Sequence, residues 1–203
     1  MARKEPTSRN SAAKTHLLDT AQRIVGAKGF SGVGLNQLLG AACIPKGSFY
    51  YYFASKDAFG KDLLEHYFEK DLSQIDKFLS EPGRTARERL IAYWRSFRKN
   101  QEHDDPDGKC LAVKLGAEVS DMSEGMRLAL KAGTSAIISR LARILKEGMT
   151  DGSIVISGSP GATALTLYQL WMGASVMAKI SHDRGAFIHA NATTERILAG
   201  EAL

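Results

Sequence analysis

An all-α fold is predicted by three features of the sequence. Apolar residues recur three and four positions apart from one end to the other, no convincing run alternates with period two, and Gly or Pro clusters cut the chain into helix-length pieces. The first piece, Leu17, Leu18, Ala21, Ile24 and Val25, closes at Lys28-Gly29, a cationic last turn followed by a C-cap glycine. Phe30-Ser31-Gly32-Val33-Gly34 makes a tight connection, and Leu35, Leu38, Leu39 and Ala42 give a short second helix. Cys43-Ile44-Pro45 then breaks the helix, because proline disfavours α geometry in the residue before it and suits the opening of a new one. Lys46 to Phe53 is the third helix. A longer helix followed by two short ones across a tight turn is a helix-turn-helix arrangement.

Ser55 is suited to cap a long fourth helix with Asp57 in its first turn and Phe59, Leu63, Tyr67, Phe68, Leu72, Ile75 and Leu79 on its apolar face. Glu81-Pro82-Gly83 stops it, and Leu90, Ile91, Trp94 and Phe97 mark a fifth helix ending near Asn100. His103 to Gly108 is a polar loop. Cys110, Val113, Leu115 and Val119 suggest a sixth helix, and Asp121 with Glu124 a capping box for a seventh, buried through Met126, Leu130, Ile137, Leu141, Ile144 and Leu145.

From Gly152 through Ala178 no residue is charged. Thr163, Thr166, Gln169 and Ser175 interrupt the apolarity, and no second such segment or basic flank accompanies it, so a soluble, water-avoiding eighth helix is read rather than a membrane span. A helix apolar on more than one face needs more partners than one small bundle supplies. Homodimerisation is therefore expected, through Leu165, Gln169, Met172, Gly173 and Val176 of this helix and Ile137, Leu141 and Leu145 of the seventh. The alternative is a central helix of a monomer.

The 203 residues, 44% hydrophobic and 24% charged, exclude disorder over most of the length. Cys43 and Cys110 have no Cys or His at ligand spacing, so no disulfide framework, metal site or cofactor is read, and a reducing cytoplasm is expected. Residues 1–11 are basic and polar without an apolar core, unlike a secretory leader. The net charge of +5 lies wholly in residues 1–60, with eight Lys/Arg against three acids, while the remainder balances. Such a bias suits a polyanion, because neutralised phosphates release condensed counterions. A solvated basic surface is the plainer alternative. The expected organisation is a flexible basic arm at 1–12, a helix-turn-helix domain at 13–56 and a helical regulatory and dimerisation domain at 57–203.

On the third helix Phe49 and Phe53 stand one turn apart as core anchors. Lys46, Ser48, Tyr50, Tyr51 and Tyr52 are left to offer a cation and hydroxyls to phosphates and base edges, and Gly47 permits close approach to a partner backbone. Three tyrosines in a row cannot all be core on one short helix. Here the sequence resembles the TetR family, the tetracycline-repressor-like regulators of bacteria, through Gly29-Phe30, Gly32-Val33, Ile44 to Phe53 and Ser55-Lys56-Asp57-Ala58-Phe59. The resemblance implies binding to double-stranded operator DNA. It places Ser48, Tyr50 and Tyr52 at the DNA face, Lys46 and Lys56 at phosphates, and Asn36 and Gln37 near the start of the second helix. Gly34 stands where Thr is common, Cys43 where a turn glycine is common and Pro45 where a capping Ser is common.

Cys110 falls near a helix start, where unpaired N–H groups favour a thiolate, with Lys109 beside it and Lys114 one turn on. A small buried hydrophobe is the alternative. The stretches Gly108 to Glu124 and Trp171 to Ser181 resemble the NemR-like branch of the family, in which the matching cysteine senses reactive electrophiles and oxidants. That resemblance makes Cys110 the expected sensor, with Lys179 as a candidate partner for its thiolate. Two rivals stand. A small unsaturated acid such as acrylate could bind reversibly, its carboxylate balanced by Lys114, Lys179 or Arg95, or Cys110 could serve a thiol enzyme with His16, His66, His103, His182 or His189. No nucleotide-binding glycine pattern or nucleophile elbow supports an enzyme. A helical adaptor without DNA affinity is a third class.

Overall fold

A computed structural model describes residues 8–102 and 110–201. Among the described residues the helices are α1 (Ser8–Lys28), α2 (Leu35–Ala41), α3 (Lys46–Tyr52), α4 (Lys56–Leu79), α5 (Ala86–Glu102), α6 (Leu111–Ser120), α7 (Glu124–Asp151), α8 (Pro160–Ser181) and α9 (Gly185–Leu198). The one β feature among them is an isolated parallel bridge between Val155 and Ala199. The chain forms two compact units, Met1–Phe68 with Lys109–Lys131 and Glu69–Gly108 with Ala132–Leu203. This division departs from the boundary expected near residue 56, since it groups α6 with the helix-turn-helix. α1 begins at Ser8, inside the stretch read as an arm.

In the first unit Leu17, Leu18, Ala21 and Val25 of α1 are buried with Leu38 and Leu39 of α2. Phe49, Phe53 and Phe59 close this core, with ring centroids 5.0 to 5.5 Å apart. Ser55 caps α4 as expected, its Oγ accepting the Ala58 N–H at 3.0 Å. Gly29 ends α1 at φ +83°, and its N–H reaches the Val25 carbonyl at 2.8 Å. Cys43, in the α2–α3 turn, has φ +52°. A side chain in this left-handed region costs about 1–2 kcal/mol, of which glycine's greater chain entropy would give back about 0.5–1. Cys43→Gly is expected to raise the unfolding free energy by up to about 1 kcal/mol, and the β-branched Cys43→Val to lower it, as urea titration would read.

The second unit is built on aromatic stacking. Trp94 of α5 and Trp171 of α8 lie parallel within 3°, centroids 4.8 Å apart, with Phe97 edge-on to Trp171 at 6.1 Å. The Trp171 indole N–H donates to Thr194 Oγ1 at 3.0 Å, joining α8 to α9. Arg140 of α7 forks onto Asp76 of α4 through two 2.9 Å bonds. Those bonds, led by the Arg140 hydrogen bond and aided by Arg143, hold the Asp76 carboxyl below its ordinary range against the opposing effect of burial. Thr85 and Glu88 form a capping box at the start of α5, with the Thr85 N–H on Glu88 Oε2 at 2.8 Å and the Glu88 N–H on Thr85 Oγ1 at 3.3 Å.

Burial pushes Asp71, on the second-unit part of α4, up to about 6. The folded chain therefore holds this proton more tightly than the unfolded chain, and the associated stability is full below about pH 4 and lost as pH rises through about 6. Asp71→Asn should gain about 2 kcal/mol over the parent at about pH 7.5 and nothing near pH 3.5, by denaturant midpoints at the two pH values.

Three expectations are corrected. Ile137, Leu141 and Leu145 lie in the chain's own core rather than on a dimer face, because helical spacing marks an apolar face without saying whether the same chain or a second copy covers it. Ser123, not Asp121, caps α7: its Oγ accepts the Met126 N–H at 3.2 Å, while Asp121 is the C-cap of α6. Helix α9, buried through Phe187, Ala190, Thr194 and Leu198, was not anticipated. On α8, by contrast, Leu165, Gln169, Gly173 and Val176 face outward, continued by Met177 and by Ile180 at 67% exposure, while Met172 is half-buried.

Candidate DNA-reading head and thiol site

The candidate reading head is α3, seven residues long and seated by one fully buried side chain, Phe49. Anchoring at Phe49 turns Tyr50 and Tyr51 outward, at 57% and 64% exposure, with Lys46 and Gly47 also exposed and Ser48 and Tyr52 half-buried. The Tyr52 ring meets Tyr51 edge-on at 5.3 Å. A Cβ on Gly47 would touch nothing within 4 Å, so internal packing does not require glycine there. Asn36 and Gln37 are exposed on α2. Pro45 and Gly34, the N-caps of α3 and α2, make no side-chain cap bond.

Lys56 differs from its expected role. Its ammonium donates to the Val33 carbonyl at 2.8 Å and the Phe30 carbonyl at 3.4 Å, and it lies 5.0 Å from the Phe30 ring centroid. This cation secures the α1–α2 connection and does not stand free for a phosphate.

Cys110 is the N-cap of the ten-residue α6, 7% exposed, and its carbonyl accepts the Lys114 N–H at 3.1 Å. The residue thus stands where the first N–H groups of a helix lack intrahelical partners, although its thiol makes no side-chain cap bond to them. Lys114 is half-buried one turn along, its charge acting on Glu118. Lys109 lies outside the described residues. Lys179 is exposed in the last turn of α8, in the second unit. Cys43 is exposed in the α2–α3 turn.

Sequence reasoning assigned no role to Glu118. Its Oε1 accepts the Ser31 N–H at 2.6 Å and its Oε2 the Phe30 N–H at 3.2 Å. Burial alone would push this carboxyl up, but the Ser31 and Phe30 hydrogen bonds and the nearby Lys114 charge together hold it below its ordinary range. The available signal was one acid in an otherwise largely apolar helix. Among the described residues no helix is long and apolar enough to cross a membrane.

Residues 17–63 match the bacterial regulatory proteins of the tetR family, and residues 86–194 match the tetracyclin repressor-like C-terminal domain. The HTH-type transcriptional repressor NemR of Escherichia coli strain K12 is 37% identical over 94% of this chain and 96% of its own. The transcriptional regulator AcuR of Cereibacter sphaeroides is 29% identical over 84% of this chain and 78% of its own. The crystal structure of reduced E. coli NemR superposes with a TM-score of 0.88 at 38% identity, covering 95% of this chain and 100% of that one. A tyrosine-bearing α3 on a short helix-turn-helix, together with matches along nearly the whole length, shows that the chain belongs to the TetR family of bacterial regulatory proteins.

Proposed function

We propose that the chain is a transcriptional repressor that holds operator DNA as a homodimer and lets go when Cys110 is modified by an electrophile or oxidant. The observation that carries the sensing step is the position of Cys110 at the N-cap of α6, within the compact unit that bears α2 and α3. Likeness to NemR, named as a repressor, supports the direction of control. The outward stripe of α8, Leu165, Gln169, Gly173 and Val176, is the proposed pairing face. Pairing sets two α3 helices one DNA turn apart, with Ser48, Tyr50 and Tyr52 toward base edges and Lys46, Tyr51, Asn36 and Gln37 toward the backbone.

In the thiol reaction the Cys110 thiolate sulfur bonds to the β-carbon of an unsaturated carbonyl compound. The π electrons pass to the carbonyl oxygen, and a solvent proton completes the adduct at the α-carbon. The added bulk at a buried cap favours a conformation whose reading heads no longer match successive major grooves.

A gel-shift titration with N-ethylmaleimide tests this, on a genomic fragment selected by the protein. Cys43 is exposed in the α2–α3 turn and would react as well, so the Cys43→Gly background is used. About one equivalent per chain should release the DNA, while added Cys110→Ser should abolish release and keep affinity within about twofold. Equal release of the Cys110→Ser protein would remove the thiol as sensor.

A second reading, reversible induction by a small unsaturated acid, draws on a 370 Å³ groove in the second unit lined by Arg84, Arg87, Arg95, Ile91 and Ala92 together with Glu88 and Glu195, in which Arg87 pairs with Glu195 and Arg95 is the candidate for the carboxylate. Calorimetry of acrylate with Cys110→Ser separates the two readings: saturable heat that persists without the thiol and is lost on adding Arg95→Ala supports reversible binding, and no heat in Cys110→Ser removes it.

A further inference from the structure

We infer that Glu118 is the positioning residue that ties the thiol-bearing helix to the reading head, so that movement of the Cys110 end of α6 reaches α2 through the peptide groups of Phe30 and Ser31. The inference rests on the sensor reading above and deepens it.

The α1–α2 connection leaves α1 at Gly29 and runs directly into α2 at Leu35. Whatever sets the direction of that connection sets the entry of the helix-turn-helix. It is gripped from two sides. On one side both oxygens of Glu118 take the first N–H groups beyond the C-cap, Phe30 at 3.2 Å and Ser31 at 2.6 Å, and the Ser31 hydroxyl donates to Met122 Sδ at 3.2 Å just past α6. On the other side the Lys56 ammonium of α4 takes the carbonyls of Phe30 and Val33. The residue Phe30 thus has its N–H held by α6 and its C=O held by α4.

The sequence is built to admit this grip. A Cβ on Gly29 would stand 2.9 Å from Glu118 Oε2, and the φ of +83° at Gly29 is one that other residues rarely adopt. A carboxylate receiving two N–H bonds forms the stronger, charge-assisted kind of link. Cys110 and Glu118 are eight residues apart on one short helix, about 12 Å along its axis. A helix of this length moves as a body, so a change at its cap is felt at Glu118. The apolar face of α6 is buried through Leu111, Leu115 and Val119. The carboxylate adds a grip on the particular peptides that lead into the DNA-reading helices.

The test measures operator affinity before and after N-ethylmaleimide, in the Cys43→Gly background, for the parent and for Glu118→Gln, which keeps size and one acceptor oxygen but loses the charge. The ratio of the two affinities is the coupling, and a purely structural role would lower both affinities together and leave the ratio alone. Glu118→Gln is expected to shrink the ratio about tenfold while circular dichroism shows the same helical fold and the melting temperature falls only modestly, by the loss of the charge-assisted bonds. A large parental ratio preserved within about twofold in Glu118→Gln overturns the inference and leaves the sensor reading standing. A parental ratio near one overturns both. Should Glu118→Gln fail to fold, Glu118→Asp, shorter by one methylene and unable to reach both N–H groups, is measured the same way and judged by the same ratio.

Discussion

Phe49→Ala should unfold the reading head and abolish operator binding. Phe49 is fully buried, lies 5.2 and 5.5 Å from the rings of Phe53 and Phe59, and is the one buried side chain of α3. Removing a phenyl ring from such a site costs about 3–5 kcal/mol. That is a large share of the roughly 5–15 kcal/mol that holds an ordinary domain together. A seven-residue helix has almost no stability of its own, so its hold on the core is its structure. Hydrogen exchange should show lost protection in α2 and α3, with α8 and α9 protected as before. Tyr50→Phe is the contrast: it removes one exposed hydroxyl, should change stability by under about 0.5 kcal/mol, and should still weaken operator binding. Loss of DNA binding in Phe49→Ala with protection of α3 unchanged would show that the ring is not the anchor.

Trp171→Ala should be the matching lesion in the second unit, again about 3–5 kcal/mol. The indole stacks on Trp94, meets Phe97 edge-on and donates to Thr194, so its removal empties the contact between α5, α8 and α9 in one step. Trp171→Phe keeps an aromatic face and loses the Thr194 bond, and should cost less. Because Trp171 supports the helix whose other face is the proposed pairing surface, Trp171→Ala should also shift the protein toward monomer in sedimentation at micromolar concentration. A normal melting curve for Trp171→Ala would contradict the stacking account.

Much of this architecture is legible in the sequence because it depends on local rules. Gly29 ends α1, Ser55 caps α4, and Cys110 falls at the start of α6, each within a residue of its expected place. Phe49 and Phe53 are buried and Tyr50 is exposed, since a short helix with one apolar edge has one way to sit. Other features depend on partners that spacing does not name. Ile137, Leu141 and Leu145 look the same whether they meet their own core or a second chain. Asp121 and Ser123 are both good caps, and the brevity of the α6–α7 link decides between them. Lys56 and Glu118 bind backbone atoms, which every residue carries, so the sequence can flag the charged side chain but not name its partner. Helix α9 carries a weaker signal, Phe187, Ala190, Thr194 and Leu198 at helical spacing, beside the longer apolar run before it.

The bare flank of α8 has a further consequence. Without acids or bases between Gly152 and Ala178, it holds no electrostatic veto against a sister chain of similar shape. If the proposed pairing face is this flank, mate choice there would rest on shape, with Leu165 and Gly173 among its larger and smaller exposed residues, so a genome with several close paralogues would be open to mixed pairs reading hybrid half-sites.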